Sequence, residues 1–263
     1  MFKAEKILKT VNMPLRNYYA LQERIARDAP SSELLVALAT ADTLVARRIL
    51  VAIAVIRCET AAAQIMLPWL DDESHELRAI AVDAIGKLGD PSTGSILFDH
   101  LMDRDKAKGI KGDLIAGLGA VNYRPAIPLL IELLEDPNGI LRGTAAWALG
   151  VMAAEAALDP LRYALVRESD LWARDRMEEA IAALEVLQQA QNALDPAAAL
   201  AILLPALAAS SFTLRGVAAW GIGELGAEEA RVSLEQAIRH EKYSCSTRQR
   251  MKEAHAAITL GVS

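Results

Sequence analysis

Leu141-Arg142-Gly143-Thr144-Ala145-Ala146-Trp147-Ala148-Leu149-Gly150 is written more than once in this chain. It returns 73 residues later as Leu214-Arg215-Gly216-Val217-Ala218-Ala219-Trp220-Gly221-Ile222-Gly223, and Leu77-Arg78-Ala79-Ile80-Ala81-Val82-Asp83-Ala84-Ile85-Gly86 is a looser upstream copy. Counted from the arginine, positions +3, +6 and +7 are apolar or small, which is helical spacing for one buried stripe. The glycine at +8 falls near the helix end. There a missing Cβ helps the chain leave the helix or lets a neighbour approach.

The basic residue itself recurs along the whole sequence: Arg16, Arg47, Arg78, Lys111, Arg142, Arg174, Arg215 and Arg248, at gaps of 31, 31, 33, 31, 32, 41 and 33 residues. Such regularity marks an array of about eight similar modules. A second amphipathic segment precedes each copy, for example residues 62–70, 95–102, 126–134, 158–166 and 200–207. Polar breaks separate the two segments at Asp42, Asp71-Asp72, Asp136-Pro137-Asn138 and Ser169-Asp170, where Asp and Ser are natural N-caps. Pro91, Pro125 and Pro196 open first helices, a position that tolerates proline. Each module therefore reads helix A, turn, helix B, turn. Helices this short cannot bury an apolar face alone, so they must stack in single file and share one interior.

Within the 41-residue gap, residues 185–196 read as a lengthened helix B followed by a polar connector, Gln188-Gln189-Ala190-Gln191-Asn192. Across it Arg174-Asp175-Arg176-Met177 returns as Arg248-Gln249-Arg250-Met251, 74 residues on, which suggests duplication of a two-module block. The expected organisation is one array over 1–263: an N-terminal cap at 1–29, repeats at 30–185, a connector at 186–196, and C-terminal repeats with their cap at 197–263.

A proline-led apolar helix, Asp136-Pro137-Asn138 in the turn, and then Leu141 to Gly150 resembles a HEAT repeat. The closer likeness is to the short bacterial HEAT-like repeat named after phycobilisome bilin lyases, and it extends over essentially the whole chain. The resemblance implies an all-α fold, a right-handed α-α superhelix or HEAT-like solenoid of about seven to eight two-helix repeats. It implies helix B on the concave face, and ladder residues that pair with a turn Asp of a neighbouring module. Here those are Asp42, Asp72, Asp105 and Asp136. Arg47, Arg78, Arg142, Arg174, Arg215 and Arg248 are thus expected to be structural.

Composition narrows the function. Hydrophobic residues make up 53% but aromatics only 5%, and the net charge is −6. An acidic chain is a poor starting point for a nucleic-acid binder. The N-terminus carries no apolar signal core, and the longest aliphatic runs, 49–56 and 197–209, are too short to span a bilayer. A cytoplasmic protein is expected. Cys58 and Cys245 lie six modules apart. At about 10 Å per layer that is some 50–60 Å, so two reduced, unbridged thiols are expected.

Trp147 and Trp220 share position +5, where other modules place Ala, Asp or Glu, including Asp83, Glu179 and Glu253. A row of that mixture is not a core pattern. With Glu224 these residues form the expected partner-binding set on the concave face, and Gly143 and Gly216 leave room beside the rings. Acid interleaved with Trp suits a basic or amphipathic protein segment. His75-Glu76 and His240-Glu241 resemble the iron-holding pairs of deoxyhypusine hydroxylase, but five modules separate them, so no metal site is expected. No catalytic constellation stands out, and Arg248 to Lys252 reads as a solvated C-terminal cap.

The leading reading is a non-enzymatic interaction scaffold or assembly chaperone without cofactor. The resemblance also implies an alternative, a phycobilin lyase subunit that attaches a bilin to a phycobiliprotein cysteine and pairs with a second HEAT-like subunit.

Overall fold

Helices follow one another in pairs along the computed structural model, which describes residues 4–11, 25, 27–241 and 245–260. Arg16 lies outside them. After α1 (Ala4–Val11) come α2 (Ser31–Ala39) with α3 (Leu44–Arg57), and α4 (Ala62–Met66, continued by a 3-10 turn) with α5 (His75–Leu88). Next are α6 (Gly94–Met102), a short α7 (Arg104–Ala107) and α8 (Lys111–Ala120), then α9 (Ile127–Glu132) with α10 (Gly139–Val151). The series closes with α11 (Leu158–Arg167) and α12 (Leu171–Gln191), α13 (Pro196–Ala206) and α14 (Phe212–Leu225), and α15 (Arg231–His240) and α16 (Cys245–Leu260). All regular structure among the described residues is helical, a HEAT-like all-α array. The second helix of each pair carries the ladder residue.

The polar breaks cap these second helices, one or two residues later than expected at several sites. Thr43, Ser74, Asn138, Asp170 and Ser211 each accept a backbone N–H from the first turn. Asp72 and Asp136 instead accept the N–H two residues on, which shapes the turn that delivers the cap. At the other end a left-handed residue recurs at +11: Cys58, Gly89, Asn122, Ala153 and Gly226 all have φ between 50° and 70°. The helix C-termini are therefore stopped in register.

Packing explains the glycine at +8. A Cβ on Gly119 would sit 2.7 Å from Ala148 Cβ, one on Gly150 2.8 Å from Ala180 Cβ, and one on Gly223 3.0 Å from Ala254 Cβ. Gly86 meets Gly117 Cα at 3.0 Å in the same way. The glycine of one helix B thus rests on the +6 residue of the next, and successive helices touch almost backbone to backbone. Gly150→Val should force α10 and α12 apart at a cost of about 1–3 kcal/mol. Thermal melting would measure it, and an unmoved midpoint would contradict the contact.

The ladder residues turn back onto their own module. Arg47, Arg78, Arg142, Arg174 and Arg215 each donate to the carbonyl oxygen six residues upstream, at Ala41, Asp72, Asp136, Glu168 and Ala209. Arg248 reaches the Glu241 carbonyl, seven residues back. These carbonyls end helix A, where the helix dipole favours a cation. A carboxylate of the next module is a partner at three positions. Lys111 meets Asp136 at 3.1 Å, Arg142 grips both oxygens of Glu168 at 2.7 Å, and Arg215 pairs with Glu241 at 2.7 Å. Among the described residues, only Asp136 of the expected aspartates gives its carboxylate to a ladder residue. Asp72 offers its carbonyl, and Arg47 lies over the Trp69 ring at 5.2 Å.

Two expectations fail on curvature. The interior is not one continuous cluster: one core runs from Ile7 to Leu184 and a second from Ala190 to Ile258, bridged by Ala153, Ala183, Leu187 and Val217. The division falls in α12, a helix of 21 residues. The cysteines are not two separated thiols either. Cys58 is disulfide-bonded, and the sequence holds one other cysteine, Cys245. Arg248 Nη1 lies 3.4 Å from Cys58 Sγ, across 190 residues of sequence. Adding layer spacings along a straight line overstated the separation, because each module rotates on the last and the array curls back on itself.

Candidate functional site

That closure forms a groove on the inner side, between the C-terminal ends of α8 and α10 and the later helices α14 and α16. Arg250, two residues past the ladder position of α16, donates to the Gly119 carbonyl at 3.4 Å and to the Val151 carbonyl. These two oxygens lie at the C-termini of α8 and α10, so one guanidinium caps both helices. Burial pushes Arg250 down to about 10, against the attraction of Glu253 and with the charge of Arg124 adding to the depression. Arg124 is itself fixed, donating to the Met152 carbonyl at 3.0 Å. The expected solvated cap is therefore corrected: Met251 is fully buried, and Arg250 wedges the seam.

A cavity of about 350 Å³ opens beside this wedge. Asn122, Met152 and Ala153 form one wall, and Trp220, Glu224, Arg250 and Glu253 the other. Asn122 and Ala153 are the left-handed residues that stop α8 and α10. Glu224 and Glu253 are exposed. Glu224 makes no ion pair among the described residues, and Glu253 accepts one hydrogen bond from Gln249 at 3.1 Å. The site thus offers a half-buried indole, two available carboxylates, and a guanidinium already committed to backbone carbonyls.

Of the residues singled out by the sequence, Trp220, Glu224 and Glu253 come together here. Trp147 does not join them, since its ring meets Phe212 edge-on at 6.2 Å between centroids. Gly143 leaves no room beside Trp147, because Trp172 of the following module fills the place of its missing Cβ. Glu179 is engaged within the chain by Arg176 and Ser211. Asp83 lines a separate hollow of about 340 Å³ and pairs with Lys87 at 2.7 Å. Asp113 nearby is raised above the usual carboxylate range, first by burial and then by repulsion from Asp83, with His75 opposing. The Asp83 hollow also holds Arg48, so its charge is balanced.

Arg250, Asn122, Met152 and Ala153 escaped the sequence reading. Arg250 had a signal in the Arg176-Met177 and Arg250-Met251 doublet, which marks +2 as an inward position. His100 is buried, with Nδ1 2.8 Å from the Ile96 carbonyl and Nε2 3.3 Å from Asp71. Among the described residues no group of three or more His, Cys, Asp or Glu is arranged to hold a metal ion. None of their helices is long and apolar enough to cross a membrane.

Residues 100–182 match the family of HEAT repeats. Epoxyqueuosine reductase of Bacillus subtilis (strain 168) is 37% identical over 79 residues, 30% of this chain and 20% of that protein. The chain thus spans about a fifth of the length of that relative. The crystal structure of YibA from Escherichia coli superposes with a TM-score of 0.48 at 15% identity, covering 98% of this chain and 93% of the other. The complex of CpcE and CpcF of phycocyanin lyase from Nostoc sp. PCC7120 gives 0.47 at 19% identity, covering 89% and 97%. The match to HEAT repeats thus covers residues 100–182, and paired helices continue on both sides of them.

Proposed function

We propose that this protein is a non-enzymatic interaction scaffold that holds a basic or amphipathic segment of a partner protein in its inner groove. The observation that carries the reading is the meeting of Trp220, Glu224 and Glu253 around one cavity. An aromatic anchor ringed by unpaired carboxylates fits a side chain with an aliphatic stem and a cationic head. Arg250 does not oppose such a ligand strongly, because its guanidinium is directed at carbonyls of α8 and α10.

The test uses a fluorescein-labelled amphipathic helical peptide of lysine and leucine, followed by anisotropy. Trp220→Ala should weaken binding by about 30-fold, the scale of a hot-spot truncation of 2 kcal/mol. Because Trp220 also packs against Leu187 and Val217, the exposed change Glu224→Lys serves as a second variant with the same expected direction. Equal binding by all variants would contradict the reading. So would a phycocyanobilin complex with red-shifted absorption and induced circular dichroism that these variants abolish.

A further inference from the structure

A second hollow lies outside the inner groove, at the outer edge between consecutive modules. It has a volume of about 420 Å³, and its floor is apolar: Leu101 and Met102 from α6, with Leu129 and Leu133 from the next pair. Met102 is 60% exposed, which is unusual for a side chain over an otherwise buried floor. The rim is cationic, formed by Arg104, Lys108 and Lys111. Its lip is an insertion. The ladder gap here is 33 residues instead of 31, and the chain between α6 and α8 holds α7 and a turn at Gly109, φ +82°.

The charge balance at this lip matters, because the chain as a whole is acidic. Asp103 is occupied in capping α7, accepting from the backbone of Asp105 and Lys106. Asp71 takes Lys106 at 2.8 Å, and Asp136 takes Lys111 at 3.1 Å. Asp105 is exposed but does not line the hollow. Arg104 and Lys108 make no ion pair among the described residues. Two unneutralised cations thus stand over an apolar floor with room for one or two aliphatic side chains.

The geometry points to a second docking site, on the α6–α7–α9 edge, for an acidic peptide segment anchored by leucine-like side chains. The occupant is fixed by charge complementarity: its carboxylates face Arg104 and Lys108 while its aliphatic groups cover Met102 and Leu133. Its preference is opposite to that of the inner groove. The two surfaces together would let one chain bridge a basic and an acidic partner.

The test is anisotropy with a fluorescein-labelled Glu-Glu-Leu-Leu-Glu-Glu-Leu-Leu peptide on the full chain, with phosphatidylglycerol vesicles in a parallel arm. Saturable peptide binding is expected, weakened at least tenfold by the exposed double change Arg104→Glu and Lys108→Glu. Raised salt should also weaken it, and Glu224→Lys should leave it unchanged. Four outcomes would overturn the site: no saturable binding, equal binding by the double variant, loss of binding in Glu224→Lys, or capture by vesicles without peptide binding. Failure here would leave the groove reading intact, since that rests on Trp220 and the lysine–leucine peptide.

Discussion

Glu168→Ala should lower the stability of the fold by about 3–5 kcal/mol, the scale for breaking a buried ion pair from one side. The Glu168 side chain is only 1% exposed, and both its oxygens are held by Arg142. Removing it strands the guanidinium between modules and also frees the Asp170 N–H, which Glu168 accepts at 2.8 Å. The pair has a pH signature as well. The bidentate hydrogen bond from Arg142, outweighing burial, holds the carboxyl down to about 2 from its ordinary 4.5. A group whose folded value is depressed contributes fully above the unfolded value and loses that contribution as pH falls through the folded one. Stability should therefore decline from about pH 4.5 towards pH 2, by about 3 kcal/mol for this residue. Glu168→Gln should remove that part of the decline. Urea titrations of both proteins across this range would measure it, and parallel profiles would contradict the pair.

Leu149→Ala carries the second large effect, about 2–5 kcal/mol, with Ile85→Ala in the same range. Both residues are 0% exposed and occupy +7 of their modules, one in α10 and one in α5. Both belong to the first core, and each is followed by the glycine that meets the next helix B, so the cavity left behind has little freedom to collapse. The loss should appear as a lower denaturant midpoint with little change in slope. A slope that falls steeply would mean that the two cores unfold separately, which the division at α12 makes a specific alternative outcome. An unmoved midpoint would place +7 outside the core.

Local packing was legible in the sequence because each module repeats the same solution. The +3, +6 and +7 stripe, the glycine at +8 and the paired helices all stand where the alignment on Arg142 puts them. The ladder was legible in phase but not in full chemistry. A regular cation says that something recurs opposite it, yet the recurring partner is mainly a backbone carbonyl, which every residue type supplies. Glu168 and Glu241, each 26 residues past its arginine, had the spacing of Arg16 to Asp42 and differ from it by one methylene. A pattern of aspartate alone does not include them.

Curvature was not legible. Superhelical shape accumulates from small rotations between modules, and no single repeat encodes the sum. Layer spacing alone therefore puts Cys58 far from the last helix, and a terminal position alone makes Arg250 solvated, although it caps α8 and α10. Trp147 and Trp220 occupy equivalent positions in sequence, but only Trp220 lies where the two ends of the curl meet. Glu179, alike in register to Asp83, is consumed by Arg176 and Ser211 because α14 crosses above it. Equivalent positions cease to be equivalent once the array closes.

That closure is the claim on which the groove depends, and small-angle X-ray scattering of the chain tests it most directly. A curled array with α16 seated on α8 and α10 should give a radius of gyration of about 18–20 Å, near the value for a compact chain of this length. A single-file array of about eight layers spaced 10 Å apart would give about 24 Å or more. The smaller radius is the predicted result, and the larger one would contradict the seam, the cavity beside Trp220 and the function drawn from them.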